Sequence, residues 1–460
     1  MSETTVTRQP EQNKMGTMPI DRLLISMSLP MIISMLVQAL YNIIDSVFVA
    51  QINEAALAAV SMAFPIQSLM IAVSTGTCVG VNALLSRCLG EQRPEEARLA
   101  AVNGIFLAVL GALAFLLFGV FGVEPYFSSQ TQDPVIVEYG VQYLRICTIF
   151  SFGIFGEIVF ERILQSTGRT IYNMFSQGIG AITNIILDPI MIFGLFGFPA
   201  MGIRGAAAAT VIGQIFAMFL SLFFNLKKNK DVSISMKGFR PHSHTIKTIY
   251  AVGVPSIIMQ SITSVMTYGM NMILIGYSAT AVTVLGIYFK LQSFIFMPVF
   301  GLNNGMIPII AYNYGARSRK RIMGTARLSI GIAVGIMLLG FGIFQLLPTQ
   351  LLMIFNASDS LLSMGVPALR LISFSFLFAG YNIIVGSVFQ AMGNGVYSLM
   401  TSIARQLVCI LPLAYFFSHT WGLNSVWYAF PLAEIMSTLL STLLFKRIYN
   451  KKIRPLDAAA

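Results

Sequence analysis

The chain has 460 residues, of which 56% are hydrophobic and only 10% are charged, and its formal net charge is +11. Soluble globular proteins carry about 25% charged residues, so this composition excludes a soluble domain as the main part of the molecule. Apolar runs of about 20 residues, the length that crosses a bilayer as a helix, recur along the sequence. The roughly ten-residue alternation of outer-membrane barrel strands does not occur. The sequence therefore predicts an all-α polytopic membrane protein.

Twelve apolar segments are predicted to be transmembrane helices. In chain order they are residues 22–50, 55–86, 97–122, 134–160, 170–197, 203–226, 247–276, 280–312, 321–347, 361–390, 395–418 and 424–447. Several of them exceed the membrane thickness, so we expect those helices to tilt or to extend beyond the bilayer. No small-residue cleavage site follows the first segment, so it is expected to be a retained helix.

Basic residues alternate with acidic or neutral ones from one predicted loop to the next. The N-terminus, every second loop and the C-terminal tail are rich in Lys and Arg, and Arg162 and Arg169 are assigned to one of these loops. The intervening loops carry Glu54, Glu124 and Asp359. This alternation follows the positive-inside rule and predicts that both termini are cytoplasmic. It also accounts for the net charge, so we expect no nucleic-acid partner.

Short polar stripes interrupt three apolar segments of the first half. They consist of Gln38, Asn42 and Asp45 in the first segment, Asn184 and Asp188 in the fifth, and Thr210 and Gln214 in the sixth. Residues three or four apart lie on one face of a helix. A charge at the bilayer centre costs at least about 2.5–3.5 kcal/mol, so Asp45 and Asp188 need a partner or a function. The stripes are therefore expected to face one another or a wet cavity.

Two interpretations of these stripes remain open at the level of sequence. Carboxylate, amide and hydroxyl oxygens suit a hard monovalent cation, whereas the carboxylates alone suit a proton. Alternatively, the same groups form an interhelical hydrogen-bond clamp that holds the helices together.

Short motifs recur at a constant offset of 225 residues. Pro30 pairs with Pro255, Gly90 with Gly315, and the stretch 165–172 with 390–397. The constant offset indicates internal duplication, with two halves of six spans that insert with the same polarity. The predicted organisation is a disordered cytoplasmic N-terminus (1–20), a first six-helix lobe (21–226), a cytoplasmic linker (227–247), a second six-helix lobe (248–448) and a cytoplasmic tail (449–460).

The second half does not repeat the carboxylates of the first. At the 225-residue offset, Asp45 meets Met270 and Asp188 meets Leu413, so cation coupling is expected in the first half alone. The polar candidates of the second half are Gln260, Asn271, Lys290, Arg405 and Glu434. The last three are candidates for a buried cation–carboxylate arrangement, as a structural clamp or as a conformational latch.

Several motifs together carry a family resemblance. They are Leu29–Pro30, Tyr41–Val49, Leu85–Gly90, Asn184–Pro189, Gly205–Thr210 and Ala311–Ala316. From about residue 20 to residue 450, the sequence resembles the multidrug and toxic compound extrusion (MATE) transporters, of the bacterial type with aspartates in the N-terminal lobe. The resemblance implies twelve helices in two pseudo-symmetric lobes that form a V around a cavity. It also implies an H⁺ or Na⁺ site at Asp45, Asn184, Asp188 and Thr210, and we expect Gln38, Tyr41, Asn42 and Gln214 to line the substrate cavity.

The expected function is secondary active multidrug efflux. Cationic amphipathic drugs or toxins would be exported by alternating access in exchange for H⁺ or Na⁺, by a monomer in the bacterial inner membrane, with antibiotic resistance as the consequence. The alternative is a flippase or exporter of a lipid-linked or polyprenyl intermediate. No Gly-rich loop ending in Gly-Lys-Ser/Thr is present, so ATP is not expected as the energy source, and neither enzymatic activity nor a cofactor beyond the coupling ion is expected.

Overall fold

A computed structural model describes residues 13–236, 238–355 and 357–459. All regular secondary structure in these ranges is helical. Ten helices are long and apolar enough to cross a membrane, and the number becomes 12 when each of two bent helix pairs is counted as one span. The prediction of an all-α membrane protein with twelve spans is confirmed.

The described residues of the first half form nine α-helices. They are α1 (Lys14–Thr17), α2 (Ile20–Ala50), α3 (Glu54–Gly90), α4 (Pro94–Phe121), α5 (Val123–Gln130), α6 (Pro134–Ile149), α7 (Phe152–Ser166), α8 (Thr170–Phe193) and α9 (Ile203–Lys228). Helices α6 and α7 are bent by 43° and together form the fourth span. This span was predicted to end at residue 160, but α7 continues to Ser166.

The second half contains another nine. They are α10 (Ser243–Ile275), α11 (Ala279–Gly315), α12 (Arg319–Leu346), α13 (Pro348–Met353), α14 (Asp359–Ser373), α15 (Phe376–Ala391), α16 (Gly395–Ile403), α17 (Leu411–Trp421) and α18 (Ala429–Ile448). A π-helical stretch, Ala404–Ile410, joins α16 to α17. Helices α14 and α15 are bent by 49°, as α6 and α7 are in the first half.

The sequence repeat is reproduced in the helix boundaries. Helix α11 begins and ends 225 residues after α3, and α12 begins and ends 225 residues after α4. The equivalent residues Asn53 and Ser278 cap α3 and α11: the Asn53 side chain accepts from the Ala56 N–H (2.8 Å) and the Ser278 hydroxyl from the Ala281 N–H (3.1 Å). Such caps satisfy N–H groups that have no intrahelical partner. Local helix-start signals were thus duplicated together with the spans.

The two lobes meet through glycines in the second halves of α3 and α11. A Cβ on Gly80 would lie 2.1 Å from the Ile249 carbonyl oxygen of α10, and one on Gly305 would lie 2.4 Å from the Ser28 hydroxyl of α2. Absence of a side chain is therefore what allows these backbones to touch. Both contacts lie toward the ends of α3 and α11 near which the termini and the linker are found. The lobes are therefore closed against each other at that end of the molecule.

The N-terminal segment differs from its predicted disorder. Residues 1–12 lie outside the described residues, but residues 13–20 are folded, and Met15 is fully buried. Arg321 of α12 donates to the carbonyl oxygens of Met15 (3.0 Å) and Met18 (2.7 Å), while Asn13 donates to the Thr167 carbonyl oxygen (3.1 Å). These bonds satisfy carbonyl groups that a short helix cannot satisfy itself. Residues 13–18 therefore bridge the first lobe to the second.

Candidate functional site

A cavity of about 380 Å³ lies within the first lobe. Helices α2, α3, α7, α8 and α9 supply most of its lining, and Asn304 of α11 adds a group from the second lobe. The four residues predicted to line a substrate cavity all lie in the wall of this one, namely Gln38, Tyr41, Asn42 and Gln214. Three of the four residues predicted to bind the ion also line it: Asp45, Asn184 and Thr210. The polar stripes of three helices thus face one shared space.

Asp188 lies behind the cavity surface. Its side chain is fully buried, and its carboxyl group lies close enough to that of Asp45 for the two groups to interact electrostatically. The Asn184 amide lies against Asp188 Oδ1 (3.4 Å) and the Thr210 hydroxyl (3.3 Å). The structure therefore brings together all four predicted residues, one from α2, two from α8 and one from α9.

This group contains more hydrogen-bond acceptors than donors. Asp45 Oδ1, Asp188 Oδ2 and Asn184 Oδ1 are all buried and have no hydrogen-bond partner in the described structure. An unpaired buried acceptor costs about 1–3 kcal/mol, and more when it is charged. A proton or a monovalent cation placed between these oxygens would remove that cost, and oxygen atoms are the ligands that hard cations prefer. The donor set therefore fits the coupling ion expected from the sequence.

A second acidic group in the same cavity was missed by the sequence analysis. Glu157 and Glu161 of α7 both line the cavity, and Gln177 of α8 donates to Glu161 Oε2 (2.8 Å). These residues lie just before and just after the predicted end of the fourth span at residue 160. The signal that identifies them is spacing, because Glu157, Glu161 and Gln165 are each four residues apart and so lie on one helix face.

Arg162 was assigned to a cytoplasmic loop, and this assignment was wrong. The residue lies inside α7, since the helix continues to Ser166, and it lines the cavity. Its guanidinium group donates to Gln165 Oε1 (2.8 Å) and to Asn304 Oδ1 (3.1 Å) of the second lobe. Gln165 also donates to the Asn304 backbone carbonyl. These contacts join the two lobes at the cavity wall.

Two of the polar candidates in the second lobe form an ion pair in which Glu434 is buried and Arg405 is half-buried. Arg405 Nη1 lies 2.8 Å from Glu434 Oε1, and Asn382 donates to the other oxygen of Glu434 (2.6 Å). Arg405 stands at the start of the π-helical stretch, where the helix backbone is locally widened. Both oxygens of the Glu434 carboxylate are therefore satisfied, one by a full positive charge.

The other three candidates of the second lobe do not join this pair. Lys290 is exposed, and its ammonium group lies 5.9 Å from the centre of the Phe355 ring. A long side chain can reach outward in this way, which explains why the expected arrangement of Lys290 with Glu434 is absent. Gln260 donates to the Thr75 hydroxyl of the first lobe (3.1 Å), and Asn271 is half-buried. The described residues include no group of three or more His, Cys, Asp or Glu side chains placed to hold a metal.

The fold and the cavity define a polytopic membrane transporter. The MatE family model matches residues 30–190 and again residues 255–416, once in each half of the chain. The chain therefore belongs to the MatE family of transporters, and it is not an enzyme.

Similar proteins agree with this assignment. The chain is 24% identical over 418 residues to a multidrug export protein, MepA, of Staphylococcus saprophyticus, with 91% of each chain covered. It is 26% identical over 442 residues to an FAD transporter of Shewanella oneidensis, covering 94% of this chain and 95% of that one. Together with the family assignment, these matches support small-molecule efflux transport across a bacterial plasma membrane as the general function.

Solved structures show the same architecture. An outward-facing multidrug resistance MATE transporter of the MOP superfamily matches with a TM-score of 0.90 and 25% identity, covering 98% of this chain and all of that one (100%). A MOP superfamily transporter from Pyrococcus furiosus, described as having a binding pocket of reverse polarity, matches with a TM-score of 0.89, 25% identity and coverage of 98% and 99%. The two-lobed fold predicted from the sequence is confirmed.

Proposed function

We propose that this transporter exports cationic amphipathic compounds in exchange for H⁺ or Na⁺, and that the ion binds at Asp45, Asn184, Asp188 and Thr210. The observation that carries the proposal is the set of three buried, unpartnered oxygens on Asp45, Asp188 and Asn184. Buried polar groups in folded proteins are nearly always paired, so an unpaired group of this kind indicates an absent ligand. Within a membrane, such an ionisable group is a functional-site hypothesis in its own right.

Exchange follows from competition inside one cavity. With the lobes closed at the terminus-bearing end, the cavity exchanges with the opposite side of the membrane. An ion from that side neutralises the Asp45–Asp188 pair, which removes the negative charge that attracts a cationic substrate, and the substrate leaves. The loaded lobe then repacks, the lobes close at the opposite end, and the ion is lost to the terminus-bearing side. Rigid-body rocking of two repeats around a fixed site is the usual form of such alternating access.

The charge of the cavity supports a cationic substrate. Asp45, Glu157 and Glu161 contribute three carboxyl groups to the lining, against the single guanidinium of Arg162. An anionic substrate such as a flavin dinucleotide or a lipid pyrophosphate would meet this excess of acidic groups. A flippase would need Lys290 and Arg405 to hold its substrate's phosphate. Lys290 is exposed, and Arg405 is paired with Glu434. The geometry therefore favours cation export over the flippase alternative.

The direction of transport follows from the basic loops. The positive-inside rule supports a cytoplasmic location for the termini, and with them for the closed end of the molecule, and in this orientation the cavity opens outward. A difference of one pH unit across the membrane is worth about 1.4 kcal/mol, which supports roughly a tenfold substrate gradient per proton exchanged. Exchange of one monovalent ion for one monovalent substrate moves no net charge, so the ion gradient alone drives it. No ATP and no second subunit enter this cycle.

Ethidium efflux from drug-sensitive bacteria tests the proposal. Cells would express the wild type, Asp45→Asn, Asp188→Asn or the matched control Asp359→Asn, whose exposed carboxyl group lies outside the cavity. We expect one imposed gradient, of Na⁺ or of H⁺, to drive efflux by the wild type and by the control. Both cavity variants should lose that efflux at equal expression. Efflux that survives both substitutions would reduce the aspartates to a hydrogen-bond clamp and overturn the proposal.

A further inference from the structure

The acidic pair of α7 has no place in the ion exchange described above. Glu157 and Glu161 lie one helical turn apart and both face the cavity. Glu161 is only 4% exposed, and its Oε1 is buried without a hydrogen-bond partner. Like charges at this spacing repel each other, and burial strengthens the repulsion because the effective dielectric constant falls. The pair is therefore costly unless something positive comes between or beside its carboxyl groups.

No protein cation forms a salt bridge with either glutamate within the described residues, although the charge of Arg162 acts on Glu161 over a longer distance. Arg162 is adjacent to Glu161 in sequence, but its guanidinium group is engaged with Gln165 and Asn304 instead. The neutral Gln177 amide satisfies only one of the two Glu161 oxygens. The contrast is Glu434 of the second lobe, where a guanidinium group lies 2.8 Å away. Apart from a proton, a positive group in direct contact with Glu161 would have to come from a ligand.

A second buried acceptor faces the same space. Asn173 of α8 is 1% exposed and lines the cavity, and its side-chain oxygen Oδ1 has no hydrogen-bond partner. The Asn173 amide nitrogen lies 3.9 Å from the Met31 sulfur, which is a weak acceptor. Two independent side chains thus leave buried acceptor oxygens directed at one cavity. Apolar lining from Met31, Met35 and Ile158 adjoins them, which suits the hydrophobic body of an amphipathic ligand.

Tyr41 lines the same cavity as Glu157, Glu161 and Asp45. The charges of Glu157, Asp45 and Asp188 all act on its hydroxyl group. The carboxyl groups that act on each other are Glu157 with Glu161 in one case and Asp45 with Asp188 in the other. The carboxyl groups therefore fall into two pairs, one on α7 and one formed by α2 and α8.

We propose that Glu157 and Glu161, with the Asn173 side-chain oxygen, form the site that binds the positively charged group of the exported compound, separate from the ion site at Asp45 and Asp188. The ligand class is an organic monocation with an aromatic or aliphatic body. The two sites share one cavity, so ion binding at the aspartates weakens substrate binding at the glutamates through the electrostatic field. This inference rests on the proposed cation export and assigns the substrate's own contact within it.

Equilibrium binding of ethidium to the purified full-length protein in detergent tests the assignment, with dissociation constants measured by fluorescence polarisation. Glu161→Gln keeps a carbonyl oxygen for the Gln177 hydrogen bond while it removes the charge. The matched control is Glu138→Gln, because exposed Glu138 also accepts from a glutamine amide, that of Gln142 (2.9 Å), but lies outside the cavity. We expect Glu161→Gln to weaken ethidium binding about tenfold and Glu138→Gln to leave it unchanged.

The coupling ion separates the two sites in the same assay. Titration with Na⁺ at constant pH, which does not protonate Glu157 or Glu161, should weaken ethidium binding to the wild type and to Glu161→Gln by the same factor when Na⁺ is the coupling ion. In Asp45→Asn that factor should fall to one, while ethidium still binds in the absence of the ion. A tetraphenylphosphonium probe, which carries charge but no hydrogen-bond donor, should follow ethidium, because the contact proposed is electrostatic.

Each failure has a different meaning. Unchanged ethidium affinity in Glu161→Gln and in Glu157→Gln would overturn the second site and leave cation export intact. Loss of ion dependence in Glu161→Gln, with ethidium affinity retained, would also overturn it, because the glutamates would then belong to the ion site. Absence of ethidium and tetraphenylphosphonium binding to the wild type would refute the proposed cationic substrate class, and this inference with it.

Discussion

The two lobes share one helical plan but treat their buried carboxyl groups in opposite ways. In the second lobe, Arg405 and Asn382 satisfy both oxygens of Glu434. In the first lobe, Asp45, Asp188 and Glu161 each keep a buried oxygen without a partner. A duplicated fold thus carries a closed ion pair in one copy and open acceptors in the other.

The difference shows how to separate structure from function among polar membrane residues. Placing an ionisable group in a span costs free energy in either lobe. An ion pair within the protein, such as Arg405 with Glu434, offsets part of that cost and serves as a clamp. An acceptor without a partner is stabilised only when a ligand binds, so the free-energy cost of burying it is coupled to transport. A missing partner therefore indicates a functional role for a buried polar group better than its charge does.

The largest effect is expected in the first lobe, where the buried acceptor oxygens have no partner. Asp188→Asn should abolish gradient-driven efflux, because it removes the charge that the coupling ion neutralises and leaves an amide of nearly equal size. Folding should survive, since the amide can still accept from Asn184. Measurement of the melting temperature beside efflux separates the two effects, and a variant that melts like the wild type yet still exports ethidium would break the comparison.

On the closed side, a single substitution should destabilise the protein. Arg405→Met leaves Glu434 buried without its cation, and breaking a buried pair typically costs about 3–5 kcal/mol. The double variant Arg405→Met/Glu434→Gln removes the stranded charge and should recover most of the loss. Thermal unfolding in detergent measures both. Efflux per folded molecule should be unchanged in the double variant, and its complete loss would identify the pair as a latch in the transport cycle.

A smaller effect is expected where the lobes touch. Gly80→Ala would place a Cβ 2.1 Å from the Ile249 carbonyl oxygen, and only movement of a helix relieves that contact. Overpacking of this kind costs about 1–3 kcal/mol. It should destabilise the conformation in which the lobes are closed at the terminus-bearing end. Cysteine-accessibility labelling from the terminus-bearing side should increase at the cavity. Gly286→Ala, with nothing within 4 Å, is the control and should change nothing.

The smallest effect concerns the hydrogen bond between Gln260 and Thr75. Gln260→Ala removes a contact between the lobes at an exposed position, and Thr75 keeps its bond to the Ile71 carbonyl oxygen (2.5 Å). We expect the stability of the closed arrangement to change by no more than about 0.5–1 kcal/mol. A stopped-flow measurement of the efflux rate should therefore differ less than about fivefold from the wild type. A larger change would give this contact a role comparable to that of the glycines.

Much of the fold followed from patterns that physics makes unambiguous. Long apolar runs and a constant 225-residue offset predicted twelve spans in two equivalent halves, and α3 and α11 reproduce the offset at both ends. Helical spacing also predicted which faces of α2, α8 and α9 are polar. Asp45, Asn184 and Thr210 share a cavity because polar faces in a membrane have few other places to go.

The remaining features depended on three-dimensional packing. The dense charges at Glu157, Glu161 and Arg162 made the end of the fourth span resemble a loop, whereas the groups face a cavity that periodicity cannot reveal. Lys290 was expected to be buried, whereas it is exposed. Hydropathy places this residue in a span but does not give the orientation of its side chain. The folded segment 13–18 depends on contacts with Arg321 and Thr167, which lie far away in the sequence.

The most direct test of the account uses purified protein in liposomes with an imposed Na⁺ or H⁺ gradient and ethidium as the transported probe. Asp188→Asn removes a carboxyl group from the proposed ion site of the first lobe. Arg405→Met/Glu434→Gln removes both charges of the ion pair in the second lobe. The account predicts that gradient-driven ethidium movement is lost in the first variant and retained in the second. Retention in Asp188→Asn together with loss in the second-lobe variant would contradict it and move the coupling site to the other half of the molecule.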